Sequence, residues 1–207
     1  WFSSGVIYWM LNDCWPASSG WAIIDYYVQP KPSYYAFKRC AADYMISVLK
    51  EDGRYSVRLC SNSVSQVCPK GILTVYCINK DGTCEKAAEI ETGFLPNEVH
   101  NERLPDIYKD HLAVVCDFKS ENVFDRAFYK DGALNISECA GLETVRKENG
   151  KITVKSSRYI HAVELEGETV FEDNYFSLLP GEERTISYDA QCDNIIVKSY
   201  TFRELCE

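Results

Sequence analysis

The run Tyr8-Trp9-Met10-Leu11-Asn12-Asp13-Cys14-Trp15-Pro16, followed closely by Trp21 and by Ile24-Asp25-Tyr26-Tyr27, holds the residues best suited to chemistry in this sequence. That chemistry is recognition of a sugar. Flat indole faces pack on the C–H faces of a pyranose, while the amide of Asn12 and the carboxylate of Asp13 are planar groups that take its hydroxyls in paired hydrogen bonds. A plainer reading stands beside it. A tryptophan in an apolar strand is commonly core, and Trp15 and Trp21 could simply pack a loop onto the surface beneath. The company of several indoles with two polar planes weighs toward a carbohydrate-facing rim.

The elements that must position these residues can be read around them. Gly5 to Leu11 is an unbroken apolar run, the pattern of a parallel strand covered on both faces. The polar and aromatic residues follow at its C-terminal end, where α/β sheets carry their sites. Past Gln29-Pro30-Lys31-Pro32, Ser33 is expected to cap a short helix with Phe37, Cys40 and Ala41 on its buried face. Lys38 and Arg39 suit its C-terminal dipole, and Asp25 is expected to brace the loop ahead of Tyr26 and Tyr27. Strand, loop and helix make one βα unit, and a full (β/α)8 barrel takes about 250 residues. Residues 1–43 are therefore expected to be a terminal fragment of a larger α/β body.

From Tyr44 onward the pattern changes to short alternating runs separated by turn dipeptides. Met45 to Leu49 and Tyr55 to Leu59 flank Asp52-Gly53; Leu73, Val75 and Cys77 precede Asp81-Gly82 and a return strand from Cys84. After a lapse around Leu95 to Pro105, alternation resumes at Leu112, Val114, Cys116 and Phe118. Turn dipeptides recur at Asp131-Gly132, Asn149-Gly150 and Glu166-Gly167. The expected fold is mainly β: two immunoglobulin-like β-sandwich domains, 44–106 and 107–207, behind the βα fragment. The boundary is placed near Asp106, and residues 1 to 40 are expected to pack against the first sandwich.

Composition excludes several classes. The chain of 207 residues is 46% hydrophobic and 26% charged, as a folded protein is. Val6 to Leu11 falls far short of the roughly 20 apolar residues of a membrane span, so no membrane partner is expected. The formal charge of -9 repels a nucleic-acid backbone. Ten cysteines include no C-x-x-C spacing, and the three histidines stand apart from them and from one another, so no metal site and no cofactor are expected. Cys77 and Cys116 fall in alternating apolar patterns, where a thiol serves as a small hydrophobe. Reduced thiols and the absence of a signal-peptide pattern point to the cytoplasm, with secretion left open because Trp1 is not a natural start.

Two motifs add a resemblance. YWMLNDCWP with the nearby DYY resembles the eighth strand and following loop of the catalytic barrel in glycoside hydrolase family 2, most closely its β-mannosidases. Near the other end, Phe171-Glu172-Asp173-Asn174-Tyr175-Phe176-Ser177-Leu178-Leu179-Pro180-Gly181-Glu182 resembles the DN(F/Y)F-x-LLPGE signature of those enzymes' C-terminal immunoglobulin-like domain. From the residues themselves that second run reads as a corner whose Asp and Asn bond turn backbone. The two matches stand in the family's order and, with the sandwich pattern between them, cover essentially the whole chain.

The resemblance implies the C-terminal accessory part of a retaining, exo-acting β-mannosidase acting on terminal β-D-mannosyl residues. Such an enzyme uses two glutamates about 5–5.5 Å apart, both on earlier barrel strands. The opening segment here holds no glutamate, and its carboxylates are Asp13, Asp25 and Asp43. No catalytic residue is therefore expected in this chain, which should be inactive alone. By resemblance Trp9 forms a wall beneath the sugar at the cleavage subsite, and Asn12, Asp13 and Trp15 shape the adjoining rim. The implied partners are a β-mannoside or related glycan and, within the parent enzyme, the rest of the barrel. Exo-β-glucosaminidase and β-galactosidase of the same family remain alternatives, with Asp13 favouring the mannosidase. A non-catalytic glycan-binding module is a further alternative, weakened because no tryptophan follows Trp21, although Tyr55, Tyr159 or Tyr188 could substitute. A structural spacer is the third reading for residues 44–207, whose scattered glutamates, such as Glu164, Glu166 and Glu168, read as a solvated face.

Overall fold

A computed structural model describes residues 6–17, 19–64, 68–107, 111–192 and 194–206. The chain runs from an irregular opening segment into helix α1 (Pro32–Cys40) and then into strands only, apart from a short 3-10 turn at Arg203–Leu205. Strands β1 (Tyr44–Glu51), β2 (Arg54–Ser61) and β5 (Val99–Arg103) form one antiparallel sheet. Strands β3 (Lys70–Asn79), β4 (Cys84–Gly93), β6 (His111–Lys119) and β7 (Phe124–Lys130) form the sheet that faces it, in the order β4-β3-β6-β7. Alternation decides which side chains go inside. Val57 and Leu59 of one sheet meet Leu73, Val75, Val114 and Phe118 of the other, all fully buried. The β1–β2 hairpin closes through Asp52 and Gly53 at φ 50° and 76°, the left-handed pair that a two-residue turn demands.

The domain boundary expected near Asp106 is overturned by this pairing. β6 is hydrogen-bonded along its length to β3, and β7 to β6, so both complete the first sandwich, which runs from Tyr44 to Lys130. The lapse at Leu95–Pro105 misled because it holds β5, a polar edge strand (VHNER) held by its backbone ladder to β2 rather than by apolar side chains.

The second sandwich pairs β13-β10-β9 against β12-β11-β14-β8, with β8 at Ile136–Glu138, β9 at Leu142–Glu148, β10 at Lys151–Ser156 and β11 at Ile160–Glu166. Its remaining strands are β12 (Phe176–Leu178), β13 (Glu183–Ser187) and β14 (Ile196–Phe202). Ile152, Val154, Ile160, Val163, Leu178 and Ile186 fill its core. Asn174 does the work of a strand residue here. Tyr175, at φ 54°, turns the chain out of the ladder, and the Asn174 side chain continues that ladder by accepting from Leu165 N and donating to Leu165 O, both at 2.8 Å. Because both backbone groups are buried, Asn174→Ala is expected to destabilise the fold by about 2 kcal/mol. Urea unfolding checks this, and a loss within the scatter of an exposed control substitution would contradict it.

The sandwiches meet along one seam. β6 is buried on both faces: Val114, Cys116 and Phe118 look into the first core, while Ala113 and Val115 join Ile78 against Tyr159, Leu179 and Phe202 of the second sandwich. At the edge of the seam Arg126 of β7 donates to Asp117, to Glu182 and to the carbonyl of Ser177.

The opening segment differs from expectation in three ways. Gly5 lies outside the described residues, and residues 6–11 form no strand: no ladder partner flanks them among the described residues, and Ile7 is 94% exposed. A run of apolar side chains becomes a strand only where neighbours take its backbone hydrogen bonds. Helix α1 forms, but Pro32 is its first residue and Lys31 takes the cap position, leaving Ser33 inside the helix. Its one buried residue is Tyr35, Arg39 is half-buried, and Phe37 and Cys40 are exposed, because the helix docks on the second sandwich rather than the first.

Candidate functional site

Without a strand to hold it, the opening segment is shaped by local hydrogen bonds. Residues 11–13 lie beside 23–24: Ile24 N donates to Leu11 O and Asp13 N to Ile24 O, each at 3.0 Å, and Ala22 and Ile23 are buried beneath. Asp25 braces the following turn as expected, its Oδ1 accepting from Gln29 N at 2.8 Å. Lys31 N then returns to Ile23 O at 2.9 Å and leads into α1.

This folding opens a cleft of about 300 Å³ lined by Trp9, Met10, Asp13, Trp15, Gly20 and Trp21 with the neighbouring Cys14, Ala17 and Ser19. That is the lower end of the range for small-molecule sites. Trp9, Trp15 and Trp21 are 77%, 65% and 77% exposed, so their faces are open to a ligand. The Trp9–Met10 peptide is cis. Asp13 is the cleft's carboxylate and is 5% exposed, with Lys31 Nζ on its Oδ2 at 2.5 Å. A Cβ on Gly20 would stand 2.8 Å from Asp13 Oδ1, so glycine lets the opposite wall approach the carboxylate.

Of the residues expected to bind sugar, the structure brings Trp9, Asp13 and Trp15 into one cleft. Asn12 is exposed, donates to Asp13 O at 3.2 Å and does not line it. Trp21 and Lys31 are the additions. Trp21 carried an aromatic signal in the sequence, whereas the Asp13–Lys31 pair joins residues whose sequence separation gives no periodic hint. Trp1 lies outside the described residues. No glutamate lines the cleft among the described residues, and Asp13 is engaged by an ammonium, so the arrangement can stack and hydrogen-bond a polyol but holds no facing acid pair.

Elsewhere several polar groups have structural partners. Glu164 is half-buried rather than plainly solvated, accepting from the hydroxyls of Tyr175 and Tyr200 at 2.9 and 2.7 Å. Burial pushes the Cys84 thiol up to about 11 and Cys116 further, which keeps both protonated as the core-filling role requires. No group of His, Cys, Asp and Glu side chains suited to a metal occurs among the described residues.

Residues 139–204 match the mannosidase Ig-fold domain family. A stretch of 53 residues, 26% of this chain, is 47% identical to β-mannosidase B of Emericella nidulans and 45% identical to that of Aspergillus niger. It spans 6% of each of those relatives. The β-D-mannosidase of Dictyoglomus thermophilum shares the fold at a TM-score of 0.71 and 21% identity, over 92% of this chain and 25% of that one. The Amycolatopsis orientalis exo-chitosanase CsxA follows at 0.59 and 17%, over 98% of this chain and 28% of that one. The chain thus spans about a quarter of the length of these solved relatives. The mannosidase Ig-fold match, the β-mannosidase B segment and the shared fold together mark the chain as similar to the C-terminal region of a glycoside hydrolase family 2 β-mannosidase.

Proposed function

We propose that this chain is the C-terminal accessory part of a retaining, exo-acting β-mannosidase, in which it lends an aromatic wall to a site that binds terminal β-D-mannosyl residues. The observation that carries the reading is the open cleft between Trp9, Trp15 and Trp21 with the carboxylate of Asp13 at its base. Trp9 and Trp15 stack on the sugar, Asp13 takes a hydroxyl while Lys31 fixes its orientation, and Asn12 meets the ligand from the rim. The two catalytic glutamates belong to the rest of the barrel, on which the exposed apolar face of residues 6–11 packs. The thiol-rich, unbridged cores suit a cytoplasmic enzyme. The 47% identity to a β-mannosidase B supports mannose over glucosamine as the sugar.

Because all four tryptophans lie at or before Trp21, indole fluorescence reports on this segment alone. At about 0.3 kcal/mol per non-hydrogen atom, one mannose binds with a Kd of about 2 mM. Titration with mannose and manno-oligosaccharides is expected to give a saturable indole response in that range. Trp15→Ala should weaken it up to about tenfold, the worth of one stacked ring. The purified chain should release no chromophore from an aryl β-mannoside. A flat titration at concentrations well above that Kd, or turnover that follows the chain through purification, would overturn the reading.

A further inference from the structure

We propose that Arg39 and Asp173 form a strap by which the second sandwich holds the indole cleft in shape, with Arg39 a positioning residue that acts through helix α1. The consequence for sugar binding rests on the function proposed above; the strap itself does not.

The helix carries an ion pair at each end. At its N-terminal end Lys31 grips Asp13 in the cleft wall at 2.5 Å. At its C-terminal end Arg39 Nη1 donates to Asp173 Oδ1 at 2.7 Å and to Asn174 O at 3.1 Å, and Lys38 Nζ donates to Glu172 O at 2.7 Å. Nine residues of α-helix, about 13 Å of rigid rod, separate the two anchor points. The far anchor is itself fixed: Arg184 of β13 holds Asp173 Oδ2 at 2.8 Å, and Asn174 N donates to Oδ1 at 2.9 Å. The Asp173 carboxylate is therefore oriented by the sandwich and offered outward to the helix.

A second route runs through rings. Tyr35, 1% exposed, packs its ring 6.0 Å from that of Tyr175, the residue after Asn174. Two residues on, Phe37 lies 5.6 Å from the ring of Tyr8, whose hydroxyl donates to Trp21 O at 2.7 Å. Both routes start in the corner at Asp173–Tyr175 and end on cleft-lining residues. A corner that served only to reverse the chain would need neither.

The test is amide hydrogen exchange on the whole chain. The amides of Asp13, Ile24, Asp25 and Lys31, which close the loop, report on the cleft; those of β10 report on the second sandwich. Arg39→Ala is expected to speed loop exchange about two- to fivefold while β10 keeps its wild-type rate. Arg39→Lys should restore protection, since one nitrogen makes both contacts with the turn. Arg184→Ala removes a partner of the same carboxylate from within the sandwich and should move the loop far less. Loop rates unchanged in Arg39→Ala, or loop and β10 rates rising together, or Arg184→Ala matching Arg39→Ala, would each sink the strap. Mannose titration separates the two ideas. A strap response without sugar binding removes the function and keeps the strap, and saturable binding without a strap response does the reverse.

Discussion

Arg126→Leu is expected to remove about 3–5 kcal/mol of stability, the loss that follows when one partner of a buried ion pair is left uncompensated. Arg126 and Asp117 stand opposite each other on β7 and β6, and the guanidinium takes both carboxylate oxygens at 2.6 Å through Nε and Nη2. Its third nitrogen reaches across the seam to Glu182 at 2.7 Å and to Ser177 O at 3.2 Å. Burial alone would favour the neutral guanidine, yet the two carboxylates hold the charge, so the proton is bound more tightly than in free arginine. Leucine in its place leaves the Asp117 carboxylate buried without a cation and takes a partner from the Leu178–Glu182 corner. Equilibrium urea unfolding measures the loss. Changing Asp117 to leucine as well should recover a large part of it, because an apolar pair has no charge to desolvate. A single-variant loss below about 1 kcal/mol would mean that solvent reaches this pair far more than its geometry implies.

The second large effect is on acid stability. His161 lies in the same seam, its ring 4.6 Å from Phe128 of the first sandwich and 4.9 Å from Phe202, with the Tyr159 hydroxyl 3.3 Å from Nδ1. Burial pushes its pKa down to about 4, so the folded imidazole stays neutral where the unfolded one, near 6.5, takes a proton. Between those values the unfolded state binds more protons, and stability falls as pH falls. The contribution is whole above pH 6.5 and is lost on approach to pH 4, about 3 kcal/mol in all at 1.36 kcal/mol per pH unit. The check is the difference between wild type and His161→Phe across a pH series of urea melts, in which other titrating groups cancel. Wild type should lose stability relative to the variant over that window. Parallel curves would show that the histidine is hydrated or protonated in the folded state.

Much of the architecture was legible along the chain. Leu73, Val75 and Cys77, or Val114, Cys116 and Phe118, alternate because each strand has one face on a core, and Asp52-Gly53 and Asn149-Gly150 mark turns because their φ values favour those residues. Strands such as β5 and β9 were silent, since a strand held mainly by its backbone ladder shows no apolar period. Of the residues expected to contact a sugar, Trp9, Asp13 and Trp15 were legible by type, and their indoles and carboxylate line one cleft.

What the sequence alone determined was local: the period of the core-facing strands, the residues at their turns, the aromatic content of the opening loop and the Phe171–Glu182 motif, which lies within the mannosidase Ig-fold match. What only the tertiary structure decided was every pairing between distant residues. It gave β6 and β7 to the first sandwich, turned α1 onto Tyr35 and Arg39, denied residues 6–11 a strand, and joined Asp13 to Lys31, Arg39 to Asp173 and Arg126 to Glu182. Periodicity records which way a side chain points relative to its neighbours in the chain. Which surface waits there depends on long-range contacts whose free energy no local window contains.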